Sequence, residues 1–393
     1  MLHEGSPARF EGGLDSSHVH PPCTVIPAQA GIHDDHEHSL RSWTPAFAGV
    51  TLRWGVAALM LAVSAVQAAP VGAALERPAV QSALAARSVL QGAARAGDRL
   101  VAVGERGIVL LSDDQGKTWR QVPVPVSVGL TAVRFVDARH GWAVGHGGVV
   151  LASVDGGQTW SKQLDGVQAA KQLLEAAKAS GDPRAQADAE RLLADGADKP
   201  FLDALFFDAK RGIVVGAYNL AFETADGGKT WQPISQRLDN PKGLHLYTVR
   251  ARGDELVIAG EQGLVLRSTD RGQTFQRLSV PYKGSFFTAE LVGAQDIVVA
   301  GLRGNVWKSS DAGVSWSQVM NPVPVSITAS AVDAQGHLWL ANQAGMVLSS
   351  TGEALIPTPA KLPPLTGLLP LKTDQALALS VAGALPVTLG TPK

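Results

Sequence analysis

The chain has a single cysteine, Cys23, which excludes an intramolecular disulfide framework and a thiolate metal centre. It also lacks an excess of either charge. With 34 Lys and Arg against 35 Asp and Glu, it has no global attraction for nucleic acid or anionic membranes. Long apolar runs are missing too. Residues 54–66 form the longest, about 13 residues where ~20 are needed to span a bilayer. Signatures of catalysis are absent: there is no Gly-x-Ser-x-Gly elbow, no His-Glu-x-x-His and no phosphate-binding loop. Tyrosine is limited to Tyr218, Tyr247 and Tyr282. Most histidines lie in the first 40 residues, leaving His140, His146, His245 and His337 scattered beyond them. No cofactor and no metal is expected.

What the chain has in plenty is one turn. The pattern Ser/Thr-x-Asp-x-Gly-x-Thr/Ser-Trp/Phe occurs five times, at 112–119, 153–160, 224–231, 268–275 and 309–316. Its Asp (Asp114, Asp155, Asp226, Asp270, Asp311) and the leading hydroxyl accept hydrogen bonds from nearby backbone N–H groups. The Gly (Gly116, Gly157, Gly228, Gly272, Gly313) supplies a positive φ. The aromatic (Trp119, Trp160, Trp231, Phe275, Trp316) opens the next strand and buries a large ring. These residues are structural.

The aromatic positions are 41, 71, 44 and 41 residues apart. A period of ~40–45 residues is the size of a four-stranded propeller blade. The long step is one period plus an insertion. Between boxes the sequence alternates β-branched runs, such as 130–137 and 141–145, with Gly and Asp turns. A sixth unit with a decayed box covers 327–352, and a weaker seventh covers 365–380. Terminal repeats are expected to deviate. The expected fold is all-β, a seven-bladed propeller of four-stranded antiparallel blades.

Residues 1–52 show no sustained periodicity and are expected to lie outside any domain. Two stretches, 24–33 and 43–51, resemble translation of a dispersed bacterial DNA repeat, which implies an upstream mis-assigned start. The His33, His36 and His38 cluster reads as a solvated tail. Residues 53–68 have the form of a secretory signal: Arg53, an apolar stretch and small residues ending near Ala68. No Cys follows it, so no lipid anchor is expected. The expected result is a periplasmic, monomeric propeller over 69–393.

Residues 163–200 interrupt the repeats. The stretch 168–178 is Ala-rich and helix-forming, and Asp182 with Pro183 reads as the N-cap and first position of a second helix. A helical hairpin is expected, on the same face as the turns joining second and third strands. Those turns align as 104–107, 145–148, 216–219, 260–263, 301–304 and 342–345. Their flanking glycines repeat while the middle residues vary. Arg106, His146, Tyr218, Asn219, Gln262 and Arg303 are therefore expected to ring one channel mouth, with Arg134 and Arg250 pointing into the channel or toward its rim. These eight are the candidate partner-binding residues. Arginine suits recognition of carboxylates or phosphates through its planar fork.

The motif Gly-x-x-Gly-x-Val/Leu-x-x-Ser-x-Asp-x-Gly-x-Thr-Trp, clearest at 260–275 and 301–316, together with the export signal, resembles the photosystem II stability/assembly factor family. The resemblance covers about 89–385. It implies a non-catalytic propeller that binds a membrane-protein subunit through a basic patch, to which Arg106, Arg303, Arg134 and Arg250 would contribute. The insertion and the absence of Arg from two tips depart from that pattern. Relatives also occur in bacteria without photosystems, where another inner-membrane complex is implied. The alternative is a carbohydrate-active propeller, a sialidase-like glycosidase or a lectin. It requires exposed aromatics and a carboxylate pair at one mouth.

Overall fold

The computed structural model describes residues 73–390 apart from Ala360 and Thr373. The expected signal segment and the preceding 52 residues lie outside the described residues. Seven antiparallel sheets follow one another along the chain, and each successive sheet is one blade. Their inner strands are Leu90–Ala96, Leu130–Phe135, Phe201–Phe206, Leu246–Arg252, Phe286–Leu291, Ile327–Val332 and Leu365–Lys372. Every inner strand pairs with the second strand of its own blade, and all seven carry an irregularity near their start. The ring is the expected seven-bladed propeller.

Blade 7 departs from the expected four strands. Among the described residues it has three, ending in Gly383–Thr388. The short 3-10 turn Ala85–Arg87 sits beside the start of that strand, where a Cβ on Gly383 would overlap the Ala86 carbonyl. Chain entering blade 1 thus packs against the last strand of blade 7.

The core is not central. It is divided into clusters between adjacent blades, such as Val101, Val103, Val133 and Ala143 between blades 1 and 2. Leu100, Leu110, Leu377 and Leu379 do the same between blades 7 and 1. All are at most 1% exposed, so each blade is stable only against its neighbours.

The boxes fold as the sequence implies. In the first, Ser112 Oγ accepts the Gly116 N–H (2.8 Å), and Asp114 Oδ1 accepts those of Lys117 (3.1 Å) and Thr118 (2.9 Å). Thr118 Oγ1 donates to Asp114 Oδ2 at 2.6 Å. The box glycines all have φ between 82° and 93°. Trp160 is buried and donates through Nε1 to the Gly157 carbonyl at 2.9 Å. Hydrogen bonds from Thr118 hold the Asp114 carboxyl down to about 2, and bonds from Thr274 and Ser315 do the same for Asp270 and Asp311.

The insertion forms two helices, α1 (Gly166–Ser180) and α2 (Pro183–Asp195). Asp182 caps α2 with Pro183 at its first position, as expected. Asp165 caps α1 in a reciprocal box with Gln168, a start signal lying upstream of the Ala-rich run. Ala169 and Leu173 pack on the core between blades 2 and 3, and Leu174, Ala177 and Ala189 close the hairpin on itself. Among the described residues, no helix is long and apolar enough to cross a membrane.

Candidate functional site

The six turns between second and third strands share one tether. The first residue of each tip donates its N–H to the carbonyl just before its blade's inner strand. Glu105 bonds Val89 (3.0 Å), His146 bonds Gly129 (2.8 Å) and Ala217 bonds Pro200 (3.0 Å). Glu261 bonds His245 (3.0 Å), Leu302 bonds Ser285 (2.9 Å) and Gln343 bonds Ser326 (3.1 Å). The tips therefore stand over the beginnings of the inner strands and surround one end of the channel. The preceding glycines are required by this closeness. A Cβ at Gly104, Gly145, Gly216, Gly260 or Gly301 would overlap the same carbonyl oxygens. In blade 6, Asn342 takes the place of that glycine and its Oδ1 accepts from Ala344 and Met346, both at 3.0 Å.

The side chains at the tips face solvent. Arg106, Tyr218, Gln262 and Arg303 are exposed and held in the left-handed region, with φ between 52° and 57°. Glycine would adopt that conformation freely, whereas each of these side chains costs about 1 kcal/mol. Neither Arg106 nor Arg303 makes an ion pair or side-chain hydrogen bond among the described residues. His146 is exposed beside Gly129. Asn219 is half-buried and tied inward, accepting from Asn240 Nδ2 at 2.9 Å. The α1 helix starts on this face, since a Cβ on Gly148 would lie 2.6 Å from Gly166 Cα.

Arg134 and Arg250 do point into the channel, but into an ion network. Asp203, on the inner strand of blade 3, accepts from Arg134 Nη2 (2.6 Å), Thr248 Oγ1 (2.9 Å) and the backbone N–H groups of Ala204 (2.9 Å) and Val249 (3.1 Å). Arg250 Nη1 also donates to it. Arg250 Nε reaches Glu290 Oε1 at 3.4 Å, and Ser330 Oγ donates to the same oxygen at 2.8 Å. One member comes from each of blades 2 to 6. Burial pushes the Asp203 carboxyl up, and the two guanidiniums more than reverse this, leaving it below the ordinary carboxylate range. Burial likewise opposes the Arg250 cation, and Asp203 and Glu290 override it upward.

Sequence reasoning missed an aromatic strip. Tyr218, 59% exposed, meets His245 edge-on at 4.6 Å between ring centroids. His245 meets Tyr247 at 6.1 Å, and Tyr247 meets Phe287 at 5.3 Å. His245 Nδ1 accepts the Tyr218 backbone N–H at 2.9 Å, and Lys199 Nζ lies 5.2 Å from the Tyr218 ring. Tyr247 and Phe287 occupy the second position of their inner strands. The signal was present there, since the corresponding residues of the other blades are Gln91, Thr131, Leu202, Thr328 and Thr366. With the ion network beneath them they line a cavity of ≈ 440 Å³.

This mouth has the aromatics that a glycan site would need, and two carboxylates, Asp203 and Glu290, stand below them. Asp203 takes five donors and is held ionised, an arrangement that suits a structural anion rather than a proton donor.

The family model described as Photosynthesis system II assembly factor YCF48 matches residues 111–182 and 184–352. The Photosystem II assembly lipoprotein Ycf48 of Synechococcus sp. (strain CC9902) is 38% identical over 82 residues. That segment is 21% of this chain and spans only 25% of the relative's length. Among solved structures, YCF48 bound to D1 peptide superposes with a TM-score of 0.58 at 18% identity, covering 79% of this chain and 95% of that one. YCF48 from Cyanidioschyzon merolae gives 0.58 at 16% identity, covering 80% and 99%. At such identities the structural likeness speaks for the fold.

Proposed function

The chain belongs to the Photosynthesis system II assembly factor YCF48 family, and on that premise we propose that it is an exported, non-catalytic assembly factor that docks on an integral membrane-protein subunit. The observation that carries this reading is the ring of tethered tips. Arg106 and Arg303 stand there unpaired in a backbone conformation that costs energy to hold, which selects for what the side chains do outside the fold. A propeller of the same fold has been solved as YCF48 bound to D1 peptide, so such a peptide is the first partner to try. The subunit of another inner-membrane complex is the second. The helix α1 begins on the same face as the tips, and the hairpin of α1 and α2 adds a second surface to the reading. Arg134 and Arg250 serve the reading differently from the tips, by fixing the channel wall.

The export signal at 53–68 supports a periplasmic location. The cyanobacterial relative is a lipoprotein by name, whereas the lone Cys23 of this chain precedes the apolar run. The test is in-cell cross-linking of the tagged chain read by mass spectrometry, with Arg106→Ala/Arg303→Ala and a 166–195 deletion alongside. One membrane protein recovered by the native chain and lost from those variants is the expected result. The same proteins recovered with every variant would remove this face from the reading.

A further inference from the structure

The mouth of the channel differs in chemistry from the tips around it. Apart from Gln91, its lining at the second inner-strand position presents apolar groups although much of it is threonine. Thr131 Oγ1 donates to the Phe201 carbonyl (2.8 Å), Thr328 Oγ1 to that of Leu365 (2.8 Å) and Thr366 Oγ1 to that of Leu90. Their hydroxyls are spent on the next blade, which leaves methyl groups for the channel. Leu202, Tyr247, Phe287 and one amide, Gln91, complete the ring and are half-buried, open to whatever enters.

The floor of the cavity narrows the choice. Its cations, Arg134 and Arg250, are matched by Asp203 and Glu290, so the site carries no net charge to attract an ion. Asp203 has no acceptor capacity left. Arg250 Nη2, in contrast, donates no hydrogen bond among the described residues, and the Arg250 side chain remains 25% exposed. An entering group therefore meets methyl groups and rings with one amide, Gln91, among them, then a hydrogen-bond donor, with its own charge uncompensated if it has one. A carboxylate or ammonium would lose its hydration without a free counter-ion.

We propose that this mouth is a specificity site for an uncharged aromatic side chain, tyrosine foremost, presented on an extended segment of the docked partner. The ring packs edge-on against Tyr247 and Phe287 and the hydroxyl accepts from Arg250, with Tyr218 and His245 guiding the segment across the face. The cavity of ≈ 440 Å³ holds one such side chain and flanking backbone. The occupant is a peptide segment because the reading of the protein as a docking factor, on which this inference rests, supplies one.

The probes are capped pentapeptides, Ac-Gly-Ser-Xaa-Ser-Gly-NH2, with Xaa Tyr, Phe or Glu, followed by saturation-transfer NMR on the mature chain. Transfer should go to the ring protons of the Tyr and Phe peptides, with Tyr binding at least about three-fold more tightly, and not to the Glu peptide. Phe287→Ala should weaken binding about ten-fold. Should that variant unfold, Thr328→Trp, which fills the mouth instead of emptying it, should abolish transfer with the circular dichroism unchanged. Equal transfer to the Glu peptide, or binding untouched in Thr328→Trp, would overturn the proposal. Peptides that fail to bind while cross-linking still captures a membrane protein would overturn the mouth assignment alone. Peptide binding with no membrane protein captured would leave this site standing and remove the docking reading.

Discussion

Two sectors of one ring are joined by different chemistry. Blades 2 to 6 are linked across the channel by Arg134, Asp203, Arg250, Glu290 and Ser330, one group from each. Blades 6, 7 and 1 meet through Leu, Ala and Gly at the same level, with single hydroxyl bonds from Thr328 and Thr366 and a bond from Arg95 Nη1 to the Leu371 carbonyl (3.1 Å). The second sector is also where the two ends of the propeller chain meet. Blade 1 is built wholly from residues 90–121 and blade 7 wholly from 365–388, and no strand crosses between them. A repeat that is nearly uniform in backbone thus hides one polar staple and one seam closed by packing.

The comparison can be broken most forcefully at Asp203. Asp203→Asn leaves two inward arginines without their shared anion and should cost about 3–5 kcal/mol in urea unfolding. A loss below about 1 kcal/mol would show that the staple is ornamental. At the seam, Leu377→Ala should cost about 2–5 kcal/mol through the cavity it leaves. It should also speed amide exchange in residues 365–388 more than in 246–277, because local opening begins where contacts are fewest in kind. Uniform acceleration around the ring would mean the seam is no weaker than the staple. Thr366→Val keeps shape and removes one hydroxyl bond to Leu90, for an expected loss of about 0.5–1.5 kcal/mol.

Acid should affect both sectors through the boxes. The carboxyls of Asp114, Asp270 and Asp311 lie at about 2 in the folded chain against an ordinary 3.8. Their contribution is fully present above about pH 4, where the unfolded chain is also ionised, and is lost as pH falls through about 2. The melting temperature should therefore fall steadily over that window. A flat profile would contradict the box hydrogen bonds.

The fold was legible because the box is a local device: Ser, Asp, Gly and Trp within eight residues define their own turn, so five copies declare the period. The hairpin was legible for the same reason, through Asp182 and Pro183. Blade 7 was only partly so, since its last strand packs against residues 85–87, nearly 300 positions away in sequence. The tips at Arg106 and Arg303 could be placed from alignment of the turns. The partners of Arg134 and Arg250 could not, because Asp203 and Glu290 reach them only after the ring has curved. The aromatic strip was hidden likewise, as Tyr218, His245, Tyr247 and Phe287 come from three blades.

The glycines pressed against the inner-strand carbonyls have a consequence for descent as well as for shape. Gly104, Gly216, Gly260 and Gly301 admit no side chain, so drift is barred at the frame of those turns. Two residues on, at Arg106, Tyr218, Gln262 and Arg303, the side chains face solvent and are limited by the left-handed backbone rather than by space. Variation is thereby channelled into a few addressable letters on a fixed page. Changing those letters alone alters the surface around the channel mouth while the glycine frame stays in place.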